Sequence, residues 1–454
     1  MKRSMALAVA AALAAAAFVT VPPATAASRR ARHPRPASRR ARHLRSAAVA
    51  SGGAMVVLDW NRALLRLVRT PGTQPATVHP TRSFAVLHAA IYDAVVSVTG
   101  GRPYLFAERA KRGARPDAAA ASAAHDTLAA LYPGAAGQID GLLTTELGAM
   151  PDGSGKTEGV DAGRAVAARL LAARADDGAL AVGPPPAPGS APGAYRPTPP
   201  KLAPPVFTHW GQVRPFVLTD GAQFRPAPPP ALTSPAYARA LNEVRDKGRD
   251  TASARTADET AAAQFWGAPI WNYWNEIAQG AATRHGTGLV TTARLFAVLN
   301  LAIADDVIAF YDAKYHYAVW RPVTAIREAD GDGNPATTGD PNWTPLSATP
   351  ADPSYPGAHS AVSAAAATVL SGFFGNRDRL TVMSEAVPGA TRTFPGYRAA
   401  AAEAGLSRIA AGVHTRSDHD AGTRLGRRVA AYVLRQWRVT AARRLVSDAD
   451  RRSR

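Results

Sequence analysis

At 454 residues the chain can bury one large core or two smaller ones, and without cysteine it has no route to disulfides or thiolate chemistry. Its net charge of +19 lies mostly at the ends: residues 28–53 carry eight arginines and no acid, residues 435–454 contribute +5, and residues 54–434 keep only +4. Basicity confined to tails argues against a nucleic-acid partner and leaves those tails available to anionic cell-surface polymers.

Lys2 and Arg3 precede a short apolar run, and Ala24-Thr25-Ala26 has the small-residue form of a leader cleavage site. Residues 1–27 are therefore expected to be a secretory signal peptide, with the mature protein exported. The run is shorter than the ~20 residues a spanning helix needs, and nothing later is apolar enough, so no integral membrane segment is expected. Residues 28–53, built of Arg, Pro, His, Ser and Ala, are expected to be a disordered basic segment.

Apolar residues then recur at helical spacing over Met55–Thr70, His79–Thr99, Asp117–Tyr132, Ala136–Met150 and Gly159–Asp176, giving an N-terminal helical bundle over residues 54–182. His88 and His125 sit among apolar neighbours and read as core or rim residues. Gly153-Ser154-Gly155-Lys156-Thr157 imitates a phosphate loop. Met150 stands where its first glycine belongs, however, and no strand precedes it. Residues 183–232 form a proline-rich connection whose Trp210–Leu218 patch is apolar enough to dock on the core.

A second bundle is expected over residues 233–437, with helices at Thr233–Arg249, Thr256–Gln279, Thr291–Tyr317, His359–Phe374, Pro395–Gly412 and Asp418–Trp437. A hairpin is expected within Leu380–Phe394, and residues 438–454 are left as a basic tail. Phe265, Trp266, Trp271, Tyr273 and Trp274 read as core. Asp330 to Asn334 briefly imitates a calcium loop, but Pro335 and Pro341 occupy its glycine and glutamate positions. The fold class is all-α, two packed helical bundles.

Three segments carry chemistry. Lys314 and Arg321 are seven residues apart, about 10 Å along a continuous helix and nearly on one face; two such cations suit a tetrahedral oxyanion. In Tyr355-Pro356-Gly357-Ala358-His359-Ser360, free amides at a helix start can bind an anion, Gly357 permits close backbone approach, and His359 can serve as general acid or base. In Leu406–Gly422, Gly412 stops one helix and Ser417 starts the next, so His414 falls in the turn between Arg408 and Asp418.

In this order, the three segments resemble the three-part phosphate signature of the type 2 phosphatidic acid phosphatase superfamily, which includes vanadium-dependent haloperoxidases and soluble bacterial acid phosphatases. The runs DDVIAFYDAKYHYAVWRPVTAIR, DPNWTPL and AAIYDAV are similar to the bacterial haloperoxidase-related branch. The resemblance implies that Lys314, Arg321 and Arg408 bind the equatorial oxygens of vanadate or phosphate, with the backbone of Gly357 and Ala358 beside them. It implies a catalytic set of His359, His414 and Asp418. His414 would be the apical vanadium ligand, or the nucleophile forming a phosphohistidine. His359 would protonate a leaving oxygen or assist peroxide deprotonation, and Asp418 would orient His414. One departure stands out: the family usually reads Pro-Ser-Gly-His where this chain has Pro356-Gly357-Ala358-His359, so a hydroxyl is missing and the Ala358 amide or Ser360 is left to serve. Three functions follow from the resemblance: a vanadate-dependent haloperoxidase acting on peroxide and halide, a secreted cofactor-free acid phosphatase acting on phosphate monoesters, or a non-catalytic anion-binding or wall-associated protein.

Overall fold

Alanine-rich apolar runs, stopped by proline and glycine, set up the architecture. The computed structural model describes the backbone of residues 39–73, 79–183 and 186–452, and the side chains of 54–73, 79–183 and 186–437. The expected signal peptide lies outside the described residues. The first half contributes α1 (Arg39–Arg69), α2 (Pro80–Thr99), α3 (Pro116–Leu131), α4 (Ala136–Gly148) and α5 (Ser154–Ala173). After the proline-rich connection come α6 (Pro235–Gly248), α7 (Ala257–Phe265), α8 (Ile270–Arg284), α9 (Leu289–Tyr317), α10 (Pro322–Arg327) and α11 (Ala358–Phe374). The strands β1 (Leu380–Met383) and β2 (Thr391–Phe394) pair antiparallel, as expected, and α12 (Tyr397–Ala410) and α13 (Arg416–Arg452) follow. Among the described residues no helix is long and apolar enough to cross a membrane.

Three boundaries differ from expectation. The first helix begins at Arg39, inside the segment expected to be disordered, and the last continues to Arg452 through the expected tail. Arginine and alanine both have high helix propensity, which the charge-based reading ignored. The expected helix over Thr256–Gln279 is two helices, because Gly267 and Pro269 break it. Thr256 opens α7 with a full capping box to Glu259.

Residues 47–454 form one unit, and α9 runs through it. Twenty-one of its side chains, from Thr292 to Lys314, are buried, and it touches α2, α11 and α13. A chain of amides pins four helices in register. Asn61 on α1 donates to His88 Nε2 on α2 (2.8 Å) and to Asn275 Oδ1 on α8 (2.9 Å), and Asn275 exchanges bonds with Asn300 on α9 (3.1 Å). The Trp210–Leu218 patch docks as expected. The buried Asp305 of α9 accepts the amides of Phe216, Val217 and Leu218 at 2.6, 2.7 and 2.9 Å. The phosphate-loop imitation at residues 153–157 is the first turn of α5, where Gly155 packs against the Gly113 backbone.

Candidate active site

His414 is placed by two helix ends. Gly412, at φ +79°, ends α12, and its amide donates to Ile409 O at 2.9 Å. The Arg408 carbonyl then accepts the amides of Val413 (3.1 Å) and His414 (3.3 Å). The next helix is capped by Thr415 rather than by the expected Ser417: Thr415 Oγ1 accepts the Asp418 amide (3.2 Å) while Asp418 Oδ2 accepts the Thr415 amide (2.8 Å). This reciprocal cap holds the Asp418 carboxylate 3.2 Å from His414 Nδ1. Asp418 Oδ2 also accepts the Ser354 hydroxyl at 2.6 Å. Burial opposes the charge on Asp418, but His414 and these donors outweigh it and keep the carboxyl below its usual range.

Lys314 and Arg321 do not share one helical face. Ala318 turns left-handed and closes α9, and Arg321 is extended before Pro322, which disfavours a helical predecessor. The two side chains still converge, because both reach Asp352. Its Oδ2 lies 3.3 Å from Lys314 Nζ, its Oδ1 accepts from Arg321 Nη2, and its peptide oxygen accepts Arg321 Nε at 2.7 Å. Arg321 Nη1 donates to Val413 O (2.8 Å) and approaches His414 Nε2 at 3.3 Å. Lys314 also donates to the carbonyls of Pro353 and Ser354. Burial lowers the Lys314 ammonium to about 8, with Arg321 pushing the same way and Asp352 opposing. Asp352 itself is buried; burial works against its charge, yet Lys314, Arg321 and His414 hold it below the usual carboxylate range.

Arg408 differs from the other two cations. Its Nη1 is buried and has no hydrogen-bond partner, although burial and the Arg321 charge lower the group only to about 10. An unpaired buried guanidinium nitrogen is costly unless an anion reaches it. His414 is neutral, lowered to about 4 first by burial and then by Arg321, with Asp418 opposing. Since Nδ1 faces a carboxylate and Nε2 faces a guanidinium, the proton belongs on Nδ1 and the lone pair on Nε2. His359, at the first turn of α11, donates Nε2–H to the Trp266 carbonyl at 3.0 Å. Burial, then the Arg408 charge, push it well below the ordinary imidazole range.

The backbone donors divide. Gly357, just before α11, gives its amide to the Asp418 carbonyl at 2.9 Å and is occupied. The Ala358 amide lies in the first helical turn, where no intrahelical carbonyl can pair it. Ser360 does not replace the missing hydroxyl: its Oγ is 2.9 Å from His419 Nδ1, on the side facing α13. A Cβ at position 357 would meet the Asp418 carbonyl at 3.2 Å, a tight contact that a shift of a few tenths of an ångström relieves. Behind Asp418, a cavity of about 280 Å³ is walled by Ser354, Thr415, Trp320, Tyr237 and Leu241.

Seven of the expected residues thus meet in one network or at its rim, with Gly357 serving as a strut. Sequence reasoning missed Asp352, whose one signal was an acid four residues before Pro356 in an apparently ordinary loop. The cluster suits a tetrahedral oxyanion. Arg321 faces the His414 lone pair, Lys314 shares Asp352 with it, and the buried Arg408 Nη1 lacks a partner.

Residues 294–442 match the family model described as the VCPO second helical-bundle domain, a span that holds every candidate residue above. The chain is also similar to the crystal structure of a bacterial vanadium-dependent iodoperoxidase, with a TM-score of 0.70 and 25% identity over 85% of this chain and 96% of that one. Holo and apo structures of a bacterial vanadium-dependent chloroperoxidase share the fold, at TM-scores of 0.60 and 0.61 and 19% identity, covering 81% and 80% of this chain and 95% of theirs. No curated protein sequence matches.

Proposed function

We propose that this chain, which belongs to the vanadium haloperoxidase and type 2 phosphatidic acid phosphatase superfamily, is a vanadium-dependent haloperoxidase that oxidises halide to hypohalous acid as hydrogen peroxide is reduced to water. The observation that carries the reading is His414, with Nδ1 held by Asp418 and Nε2 turned toward Arg321, together with a buried Arg408 nitrogen that has no protein partner. Lys314, Arg321, Arg408 and the Ala358 amide would hold vanadate and His414 would ligate it; the bound group supplies the oxidation of halide by peroxide.

The chain's own residues do the rest. Asp418 keeps the proton on Nδ1 and so leaves Nε2 unprotonated, facing Arg321. Neutral His359, with Nε2–H tied to Trp266 at the first turn of α11, would be the base that accepts a proton from peroxide. Burial of Lys314 and Arg321 keeps water from competing for their charges. The N-terminal 27 residues support export, where the basic tails would meet cell-surface polymers.

The test is one purified sample assayed twice. Halogenation of a phenolic dye by peroxide with bromide or iodide should depend on added orthovanadate. If p-nitrophenyl phosphate is hydrolysed instead, and vanadate inhibits that hydrolysis, the same His414 is a phosphohistidine nucleophile and the protein an acid phosphatase. Neither activity, with no vanadate bound, would leave the non-catalytic reading.

A further inference from the structure

We propose that Asp352 makes this site select protonated tetrahedral oxyanions, orthovanadate and phosphate, against fully ionised sulfate; the proposal rests on the oxyanion reading above. The two cations expected to receive the anion, Lys314 and Arg321, are both already in contact with this buried carboxylate. An anion that reaches them therefore arrives beside Asp352. Each carboxylate oxygen has one cation partner and lone pairs to spare.

A carboxylate can only accept hydrogen bonds. Orthovanadate and phosphate keep at least one hydroxyl near neutral pH and can donate it, forming a short charge-assisted O–H···O bond. Sulfate has no proton to give, so its oxygens would face the Asp352 oxygens as like-charged acceptors. Asp418, the other acid of the cluster, is placed differently. The three donors on its Oδ2 come from Ser354, His414 and Thr415, and it touches neither Lys314 nor Arg321. The Arg408 nitrogen without a partner supplies the attraction that Asp352 cancels at the other two cations.

Calorimetric titration of the full chain with orthovanadate, phosphate and sulfate at neutral pH tests this. Orthovanadate and phosphate should bind at least about tenfold more tightly than sulfate, the scale of one hydrogen bond to a charged group. In Asp352→Asn, sulfate should gain and the ratio should fall toward one; Asp352→Ser serves if the first variant does not fold. Wild-type protein that binds sulfate as well as phosphate would overturn the proposal, as would a folded variant that keeps the wild-type ratio. Orthovanadate binding with an unaltered ratio sinks only the role of Asp352, whereas no binding of any of the three anions removes the oxyanion reading with it.

Discussion

His414 has one proton and one lone pair, and its neighbours decide which nitrogen holds which. Activity in either reaction needs the neutral ring, so it should disappear as pH falls through about 4, the value set by burial and Arg321 against Asp418. Asp418→Asn removes the group that raises this value, so the acid limb should move to still lower pH. The same change lets the asparagine amide donate to Nδ1 and drive the proton onto Nε2, which should reduce activity by roughly 10–100-fold. A pH–rate profile of both proteins reads the two effects separately; an acid limb near 6.5 in the wild type would mean a solvated imidazole and remove the assignment. The dyad was legible in the sequence because His414 and Asp418 are four residues apart on a helix start. Asp352 was not legible, since its role depends on Lys314 and Arg321 folding back onto a loop 31 residues after Arg321.

At the scale of elements, the site depends on how closely α11 and α13 cross, because one carries His359 and the other Asp418. Glycines make that crossing possible. A Cβ at Gly426 would fall far inside contact with the Ala361 carbonyl, and one at Gly422 would do the same to the Gly357 carbonyl. Gly426→Ala should force the helices apart at a cost of about 1–3 kcal/mol, visible as a lower melting temperature together with weaker orthovanadate binding. A variant that melts lower yet binds the anion unchanged would show that the crossing does not set the site. Most helices were readable because proline, glycine and Ala-rich periodicity act locally. The α7–α8 break was missed because a long aromatic run masked Gly267 and Pro269. The end of α9 at Tyr317 was read, but the left-handed turn at Ala318 that follows was not, since a tertiary contact holds it: the Ala318 carbonyl accepts the Tyr195 amide (2.7 Å).

For the molecule as a whole, every candidate residue lies between Lys314 and Asp418, while the first half acts through α9, which it braces at α2 and through the Asp305 anchor. The proposed anion site draws on the end of α9, Arg321 before α10, the 352–357 loop, α11, α12 and the turn before α13, so a ligand there would contact six separate stretches of chain. Something that binds only the folded state stabilises by about 2.7 kcal/mol at a hundred times its Kd. Because residues 47–454 form one unit, that energy should raise a single unfolding transition by a few degrees rather than move part of a split one. Scanning calorimetry with and without orthovanadate distinguishes the cases. One shifted transition is expected; two transitions of which only the later half responds would mean that the N-terminal helices fold apart from the site and brace nothing.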